Sequence, residues 1–129
     1  MKWTHTAAFE HFRTKPRNVY WSWSARSEDG KTVVVTLWQD EIKRSEKGLV
    51  YSRQKGQVSD TRPGMRELME NLAWARDNCE GKVSVIIAIA KNINANERSI
   101  AECFPSKMTM QLEELNISDQ TFTLKALGL

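Results

Sequence analysis

Residues 82–91, with the sequence KVSVIIAIAK, constrain the fold of this chain more than any other stretch. They are apolar nearly throughout and rich in β-branched side chains, which is typical of a strand covered on both faces. Such a strand needs packed layers on either side of it. The sequence therefore predicts that residues 82–91 form the central strand of a sheet.

The segment before this strand predicts a helix over residues 63–78. Asp60 or Thr61 can cap it, Pro63 falls near its first position, and Gly81 follows its last turn. Apolar residues recur at the three- and four-residue spacing of a helix that packs one face on a core. These residues are Met65, Leu68, Met69, Leu72, Ala75 and Cys79.

The N-terminal part predicts a short helix followed by a β-hairpin. Residues 4–15 begin with a capping threonine and end before Pro16, which favours a short helix. Residues 19–27 alternate between two faces, and residues 32–42 are rich in β-branched side chains. The Asp29-Gly30 dipeptide between them is a turn signal, so the two strands should form a hairpin.

Two stretches lack sustained periodicity. Residues 43–61 form either a basic functional loop or a loop that contains a short strand at 49–52. We interpret residues 92–104 as a polar loop with one helical turn at 97–103, closed by Pro105.

The remaining alternation, at residues 108–115 and 121–127, predicts a second hairpin. Together these elements predict a single α+β domain over residues 1–129. Its sheet should be strongly bent, mixed or antiparallel, with about five strands and room for partial closure as a barrel. The helix at 63–78 should pack on that sheet, with the short helix at the N-terminus.

Composition narrows the class of protein. The chain has 129 residues, 40% of them hydrophobic, and a net charge of +3, which suits a folded domain and excludes a disordered one. The longest apolar run, residues 85–90, is far shorter than the roughly 18 residues of a membrane span. The N-terminal residues contain no apolar signal segment. We therefore expect a cytoplasmic protein that does not bind membranes.

Signals for catalysis and metal binding are weak. Cys79 and Cys103 lack metal-ligand spacing, and His5 and His11 would point in different directions from one helix. We find no nucleophile elbow, no zinc-protease motif and no glycine-rich phosphate loop. The sequence thus predicts no catalytic residue, metal or cofactor, and favours a role other than catalysis.

One tripeptide, Glu41-Ile42-Lys43, matches half of the motif of metal-dependent nucleases. That chemistry needs two carboxylates for Mg²⁺ and a lysine near the phosphate. The neighbouring Asp40 would lie on the opposite strand face. We interpret the tripeptide as a solvated strand end and keep a nuclease as a third hypothesis.

Positive charge is concentrated in the first half of the chain. Residues 1–66 hold 13 Lys/Arg and 7 Asp/Glu, whereas residues 67–129 hold 6 and 9. Lys and Arg contacts with phosphates dominate non-specific affinity for nucleic acids. The 43–61 stretch is therefore predicted to hold phosphates, with Arg26 on the polar strand face helping to orient a base, the alternative being an ordinary solvated surface. The basic residues of that stretch are Lys43, Arg44, Lys47, Arg53 and Lys55.

The positions of the five tryptophans bear on the prediction of a nucleic-acid-binding face. Trp21 and Trp23 share an apolar strand face and are predicted to be core. Trp38 lies on the opposite face of its strand from Val33, Val35 and Leu37. Trp74 falls on the polar side of the helix, so it is either covered by the long basic loop or exposed. Either Trp38 or Trp74 could stack an unpaired base.

The segments WSWSAR (21–26), TLWQDEI (36–42) and RELMENLAWARDNCEGKVSVIIAIAK (66–91) resemble a group of small bacterial proteins with no assigned function. The element order and aromatic-rich strands also resemble, at the level of fold, the PUA-like, EVE-like and SRA-like domains. That resemblance implies a partly closed barrel that binds RNA or reads modified bases in DNA.

The leading hypothesis is therefore a non-catalytic module that binds nucleic acid, DNA or RNA, or reads modified bases. The alternative is a protein-interaction domain or homodimer, because Trp and Arg are also enriched in protein interfaces.

Overall fold

Two parallel strands lie near the middle of the sheet, namely β2 (Val33–Trp38) and β5 (Lys82–Ala90). The structure is a computed structural model, and it describes residues 3–18, 22–46, 48–53, 63–95 and 98–127. The helices are α1 (His5–His11) and α2 (Pro63–Asn78). The other strands are β1 (Ser24–Arg26), β3 (Lys43–Ser45), β4 (Gly48–Arg53), β6 (Ile100–Asn116) and β7 (Thr121–Ala126).

All seven strands belong to one mixed sheet with the order β1-β2-β5-β6-β7-β4-β3. The β2–β5 pair is parallel and every other pair is antiparallel. The predicted α+β class is confirmed. The prediction of about five strands is wrong, because the sheet has seven and is not a closed barrel.

The sheet must curl, because the chain passes from β2 to β3 through residues 39–42 alone. Those two strands are second and seventh in the order, which is about 24 Å apart in a flat sheet at the usual strand spacing. The connecting chain spans at most about 18 Å. Register shifts in the β5–β6 and β6–β7 pairs supply local bends. The predicted strong bend is thus present.

Apolar side chains cover both faces of the central strands. On one face, Val33, Val35 and Leu37 join α2 and the alternate residues of β5 in the larger buried cluster. On the other face, Val34 and Ile86 pack with Phe9 of α1. The predicted two-sided burial of the 82–91 strand is confirmed, and it follows from the helix on either side of the sheet.

The helix boundaries follow the capping signals. The Thr4 side chain accepts a hydrogen bond from the backbone N–H of Ala7, which starts α1. The predicted helix over 63–78 is confirmed as α2, and Gly81 ends it with a φ of 76° and an N–H bond to Ala75 O at 2.8 Å. The predicted caps Asp60 and Thr61 lie outside the described residues.

The first hairpin is confirmed with shorter strands than predicted. Ser24–Arg26 pairs with β2, and the turn has Gly30 at a φ of 73°. A Cβ on Gly30 would lie 2.9 Å from Cζ2 of Trp74, so this turn packs directly on α2. Residues 19–21, including Trp21, lie outside the described residues, and Trp23 is half-buried.

Two loop predictions need correction. Within the 43–61 stretch, β3 and β4 form an antiparallel hairpin, which confirms the alternative of a strand at 49–52. The described residues of 92–104 contain no helical turn, because Ile100–Asn116 is one long strand. Pro105 does not close a loop; it lies inside β6 beside a register shift, where its missing N–H is tolerated.

The last hairpin, β6–β7, is confirmed around a turn at residues 117–120. Within the described ranges, no helix has both the length and the apolar content that crossing a membrane requires.

Candidate functional site

A second face of α2 packs against β1, beside the apolar stripe that faces the sheet. Gly64, Glu67 and Asn71 are buried there, at helical spacing, and Trp74 follows one turn later. Sequence analysis placed Trp74 on the polar side of the helix, either covered by the long basic loop or exposed, and in the structure it is half-buried. The reason is tertiary: the β1–β2 hairpin turn folds over α2 and covers it.

Arg26 lies at the centre of this contact. Its Nε and Nη2 donate to Oδ1 of Asn71 at 3.3 and 3.2 Å. Nδ2 of Asn71 donates in turn to Oγ of the buried Ser24 at 2.8 Å. The network fixes both the amide and the guanidinium.

The ring of Trp74 packs against the guanidinium of Arg26. The Cζ atom of Arg26 lies 4.2 Å from the centroid of the Trp74 ring, a cation–π contact. Nε1 of Trp74 donates to Gly30 O at 2.8 Å. The ring is therefore half-buried and has protein partners on two sides, instead of being an open stacking platform.

A small pocket opens where the N-terminal segment passes this contact. Thr14 forms an isolated antiparallel bridge with Ser27, which brings the following residues alongside β1. The pocket has a volume of about 290 Å³. It is lined by Lys15, Pro16, Arg17, Ala25, Arg26, Glu67 and Asn71, and we call it the Arg26 pocket.

Glu67 is the unusual member of the Arg26 pocket. Its side chain is 5% exposed, and its Oε2 lies 3.4 Å from Nε of Arg17. Its Oε1 is the one buried side-chain polar atom in the described part of the chain with no hydrogen-bond partner. Native proteins seldom leave such an atom unpaired, which sets Glu67 apart from the other residues that line the pocket.

Burial also disfavours the charged form of the Glu67 side chain. Burial is the main cause that raises the pKa of Glu67, and the nearby Glu70 raises it further. A hydrogen bond from Ser22 and the charge of Arg17 act in the opposite direction. The carboxylate is thus only partly compensated by the protein.

Two cations lie at the rim of the pocket. Lys15 and Arg17 line it and are exposed. The side chain of Arg17 is 66% exposed although it reaches Glu67 and Glu70. The pocket therefore combines a positive rim with a buried carboxylate among its lining residues.

Trp38 lies in a different cluster, on the α1 side of the sheet. Its ring is 5.1 Å from that of Trp23, and the guanidinium of Arg98 lies 5.3 Å from its centroid. Arg98 binds both oxygens of Asp40, at 2.7 and 2.9 Å. This bond is the main cause that lowers the pKa of Asp40.

In the half-motif Glu41-Ile42-Lys43, the side chains of Glu41 and Lys43 are bound to neighbouring groups of the protein. Tyr51 donates to Oε1 of Glu41 at 3.0 Å, and Arg98 lies 3.7 Å from its other oxygen. Nζ of Lys43 donates to the backbone oxygen of Asp40. In the described part of the chain, no three His, Cys, Asp or Glu side chains are grouped so that they could hold a metal ion.

The predicted basic residues of the 43–61 stretch that the structure describes belong to other strands than Arg26 and do not line its pocket. Lys43 and Arg44 are exposed on β3, the opposite edge of the sheet order from β1. Arg53, on β4, donates to Gln120 O at 2.8 Å. Lys47 and Lys55 lie outside the described residues.

A larger open cleft of about 480 Å³ lies on the outer side of Trp74, between α2 and the β6–β7 turn. Its walls include Met69, Ile117 and Arg66. We favour the smaller Arg26 pocket as the candidate site, because only that pocket contains a buried polar atom without a partner among the described residues.

No family model, curated protein or solved structure matches the chain.

Sequence analysis found Arg26 and Trp74 but missed Lys15, Arg17, Glu67 and Asn71. One signal was available, because Gly64, Glu67 and Asn71 repeat at helical spacing next to the apolar stripe. A small residue followed by two polar residues on that line indicates a second packed face.

Proposed function

We propose that this protein is a non-catalytic module that binds single-stranded or unpaired nucleic acid and holds one base in the Arg26 pocket. The observation that carries the proposal is the combination of a cationic rim, Lys15 and Arg17, with a small pocket that has the guanidinium of Arg26 in its wall. A nucleotide has the complementary pair of features, a negative phosphate and a planar base that can pair with or stack on a guanidinium.

The rim supports phosphate binding. Lys15 and Arg17 are exposed beside the pocket, and neither is buried in a core contact. Lysine and arginine neutralise phosphates and release counterions, which is the main source of affinity for nucleic acid strands.

The size of the Arg26 pocket supports a small inserted group. At about 290 Å³ it is at the lower end of the range for ligand pockets. A single base fits this scale better than a helix or strand of a protein partner. Arg26 contributes a planar guanidinium held by Asn71 and Trp74, a geometry that can also pair with or stack on a base.

This proposal and the sequence-based hypothesis assign the binding to different residues. Arg26 stays at the centre, and Trp74 becomes its support instead of the stacking platform. Lys43 and Arg44 lie on β3, and Trp38 lies on the other face of the sheet, so they are not needed for the pocket.

The test compares two double variants of equal charge. Lys15→Gln with Arg17→Gln should weaken the binding of a fluorescein-labelled single-stranded DNA about tenfold or more at 50 mM salt, measured by fluorescence anisotropy. Lys43→Gln with Arg44→Gln should change it less than about threefold. Circular dichroism confirms that both variants are folded.

Two outcomes would contradict the proposal. An equal or larger loss of affinity in the Lys43/Arg44 variant would place the site at β3, as the sequence-based hypothesis predicts. An absence of binding by the unmodified protein to both DNA and RNA strands would remove the nucleic-acid function altogether.

A further inference from the structure

Arg17 is shared between the rim of the Arg26 pocket and the carboxylates of α2. Its Nε lies 3.4 Å from Oε2 of Glu67, and its Nη1 lies 3.9 Å from Oε2 of Glu70. These ion pairs are loose, because a direct hydrogen bond between a guanidinium and a carboxylate is about 2.7–2.9 Å long. With its side chain 66% exposed, Arg17 can leave both partners at little cost.

Glu67 is the buried partner of this ion pair. Its side chain is 5% exposed, and its Oε1 has no hydrogen-bond partner among the described residues. A carboxylate in such a place depends on nearby cations, because water does not solvate it well. A ligand that draws Arg17 away therefore disfavours the charged form of Glu67.

The other charged groups near Glu67 come from three parts of the fold. Lys15 of the N-terminal segment and Arg26 of β1 line the same pocket, and Glu70 lies one turn further along α2. A phosphate held by Lys15 and Arg17 adds a negative charge to this group. It therefore acts on Glu67 twice, by repelling the carboxylate and by taking its cation.

The surroundings of Glu67 in the free protein act in the same direction. Burial is the main cause that raises its pKa, and Glu70 raises it further, whereas a hydrogen bond from Ser22 and the charge of Arg17 lower it. Removal of Arg17 by a phosphate takes away one of the two groups that lower this pKa. Protonation of Glu67 then becomes easier when a strand is bound.

We infer that Glu67 inhibits strand binding by competing with phosphates for Arg17, and that protonation of Glu67 releases Arg17 to the strand. This inference rests on the proposed nucleic-acid function. Binding of a strand is then coupled to the uptake of a proton from solvent by the Glu67 carboxylate. Because this coupling is reciprocal, a bound phosphate favours protonated Glu67 and protonated Glu67 favours a bound phosphate by the same factor.

The experiment measures the affinity for a rhodamine-labelled thymidine strand by fluorescence anisotropy at pH 8 and pH 5.5, at about 0.1 M salt. Neither thymine nor a phosphodiester titrates between these pH values, so a change in affinity comes from the protein. We expect the unmodified protein to bind about fivefold or more tightly at pH 5.5.

The matched variants are Glu67→Gln and Asp77→Asn, which remove the same charge. Glu67→Gln should bind about fivefold more tightly than the unmodified protein at pH 8 and should change less than about twofold between the two pH values. Asp77 is exposed and lies ten residues, or about 15 Å, further along α2, so Asp77→Asn should behave as the unmodified protein does. Both histidines are present in all three proteins, and thermal unfolding checks that each protein is folded.

A double-mutant cycle separates competition for Arg17 from simple repulsion of the strand. In protein that carries Arg17→Gln, the further change Glu67→Gln should tighten binding at pH 8 by less than about twofold. A full fivefold gain in that background would show that Glu67 acts without Arg17 and would overturn the competition.

The outcomes separate this inference from the proposed function. Equal affinity of the unmodified protein at the two pH values would overturn the role of Glu67 and leave the nucleic-acid function in place. Weaker binding by Glu67→Gln at pH 8 would also overturn it, because Glu67 would then hold Arg17 ready for the strand. Absence of binding at both pH values would contradict the proposed function itself, and this inference with it.

Discussion

Replacing Phe9 with alanine is expected to lower the free energy of unfolding by about 3–5 kcal/mol. Phe9 is fully buried and joins α1 to Val34 and Ile86 on the outer face of the sheet. Because small proteins are stabilised by only about 5–15 kcal/mol, this loss is a large share of the total. Urea denaturation followed by circular dichroism measures it.

The control for this variant is Phe12→Ala. Phe12 is half-buried just after α1, so its removal should cost clearly less than that of Phe9. A loss below about 1 kcal/mol for Phe9→Ala would show that α1 does not cover the sheet, and the two-sided fold would be wrong.

Acidification is expected to destabilise the protein through His5. Its Nε2 lies 2.8 Å from Oγ1 of Thr36, and burial lowers the pKa of His5 from 6.5 to about 4. The folded state therefore binds a proton more weakly than the unfolded state. Stability from His5 is fully present above about pH 6.5 and is lost as the pH falls toward 4.

The expected size follows from linkage. One unit of pKa difference corresponds to about 1.4 kcal/mol, so the shift of the His5 pKa from 6.5 to about 4 should remove about 3 kcal/mol between pH 7 and pH 4. The measurement compares the unfolding free energy of the unmodified protein and of His5→Gln at both pH values. The pH-dependent loss should be smaller in the variant by about this amount, and an identical loss in both would contradict the assignment.

The contribution of Glu67 to stability has the opposite pH dependence. Burial raises its pKa, so the folded state holds this proton more tightly than the unfolded state. Its contribution to stability therefore falls as the pH rises through the range between its unfolded and folded pKa values. The His5 comparison is informative because Glu67 is present in both proteins.

Sequence patterns predicted the parts of the fold that depend on local signals. The bounds of α2 follow from Pro63 and Gly81, and the central position of β5 follows from its continuous apolar run. The short α1 follows from its Thr4 cap. In each of these, local preference and tertiary packing favour the same structure.

The strands that were missed have no such local signal. β3 is a short exposed strand held by its pairing with β4. The first part of β6 follows a polar stretch and contains Pro105, and its strand structure depends on pairing with β5. Strand formation here depends on the neighbour across the sheet, and that neighbour is distant in the sequence.

The site was predictable only in part, for the same reason. Arg26 was predicted from its place on the polar face of a strand in the basic half of the chain, and it does lie in the pocket. Glu67 and Asn71 appear solvent-facing on a helical wheel and become buried because the turn at Gly30 covers α2. Sequence analysis assigned Lys43, Arg44 and Arg26 to one binding site, and they lie on β3 and β1, the last and first strands in the order of the sheet.

The most direct test of the central claim is the salt dependence of single-strand binding. Lys15 and Arg17 at the rim of the Arg26 pocket should contribute about −0.7 each, or about −1.4 together, to the slope of log affinity against log salt concentration. The Lys15/Arg17 double variant should reduce the steepness by about 1.4. A slope unchanged in that variant would contradict the claim that these residues hold the phosphates.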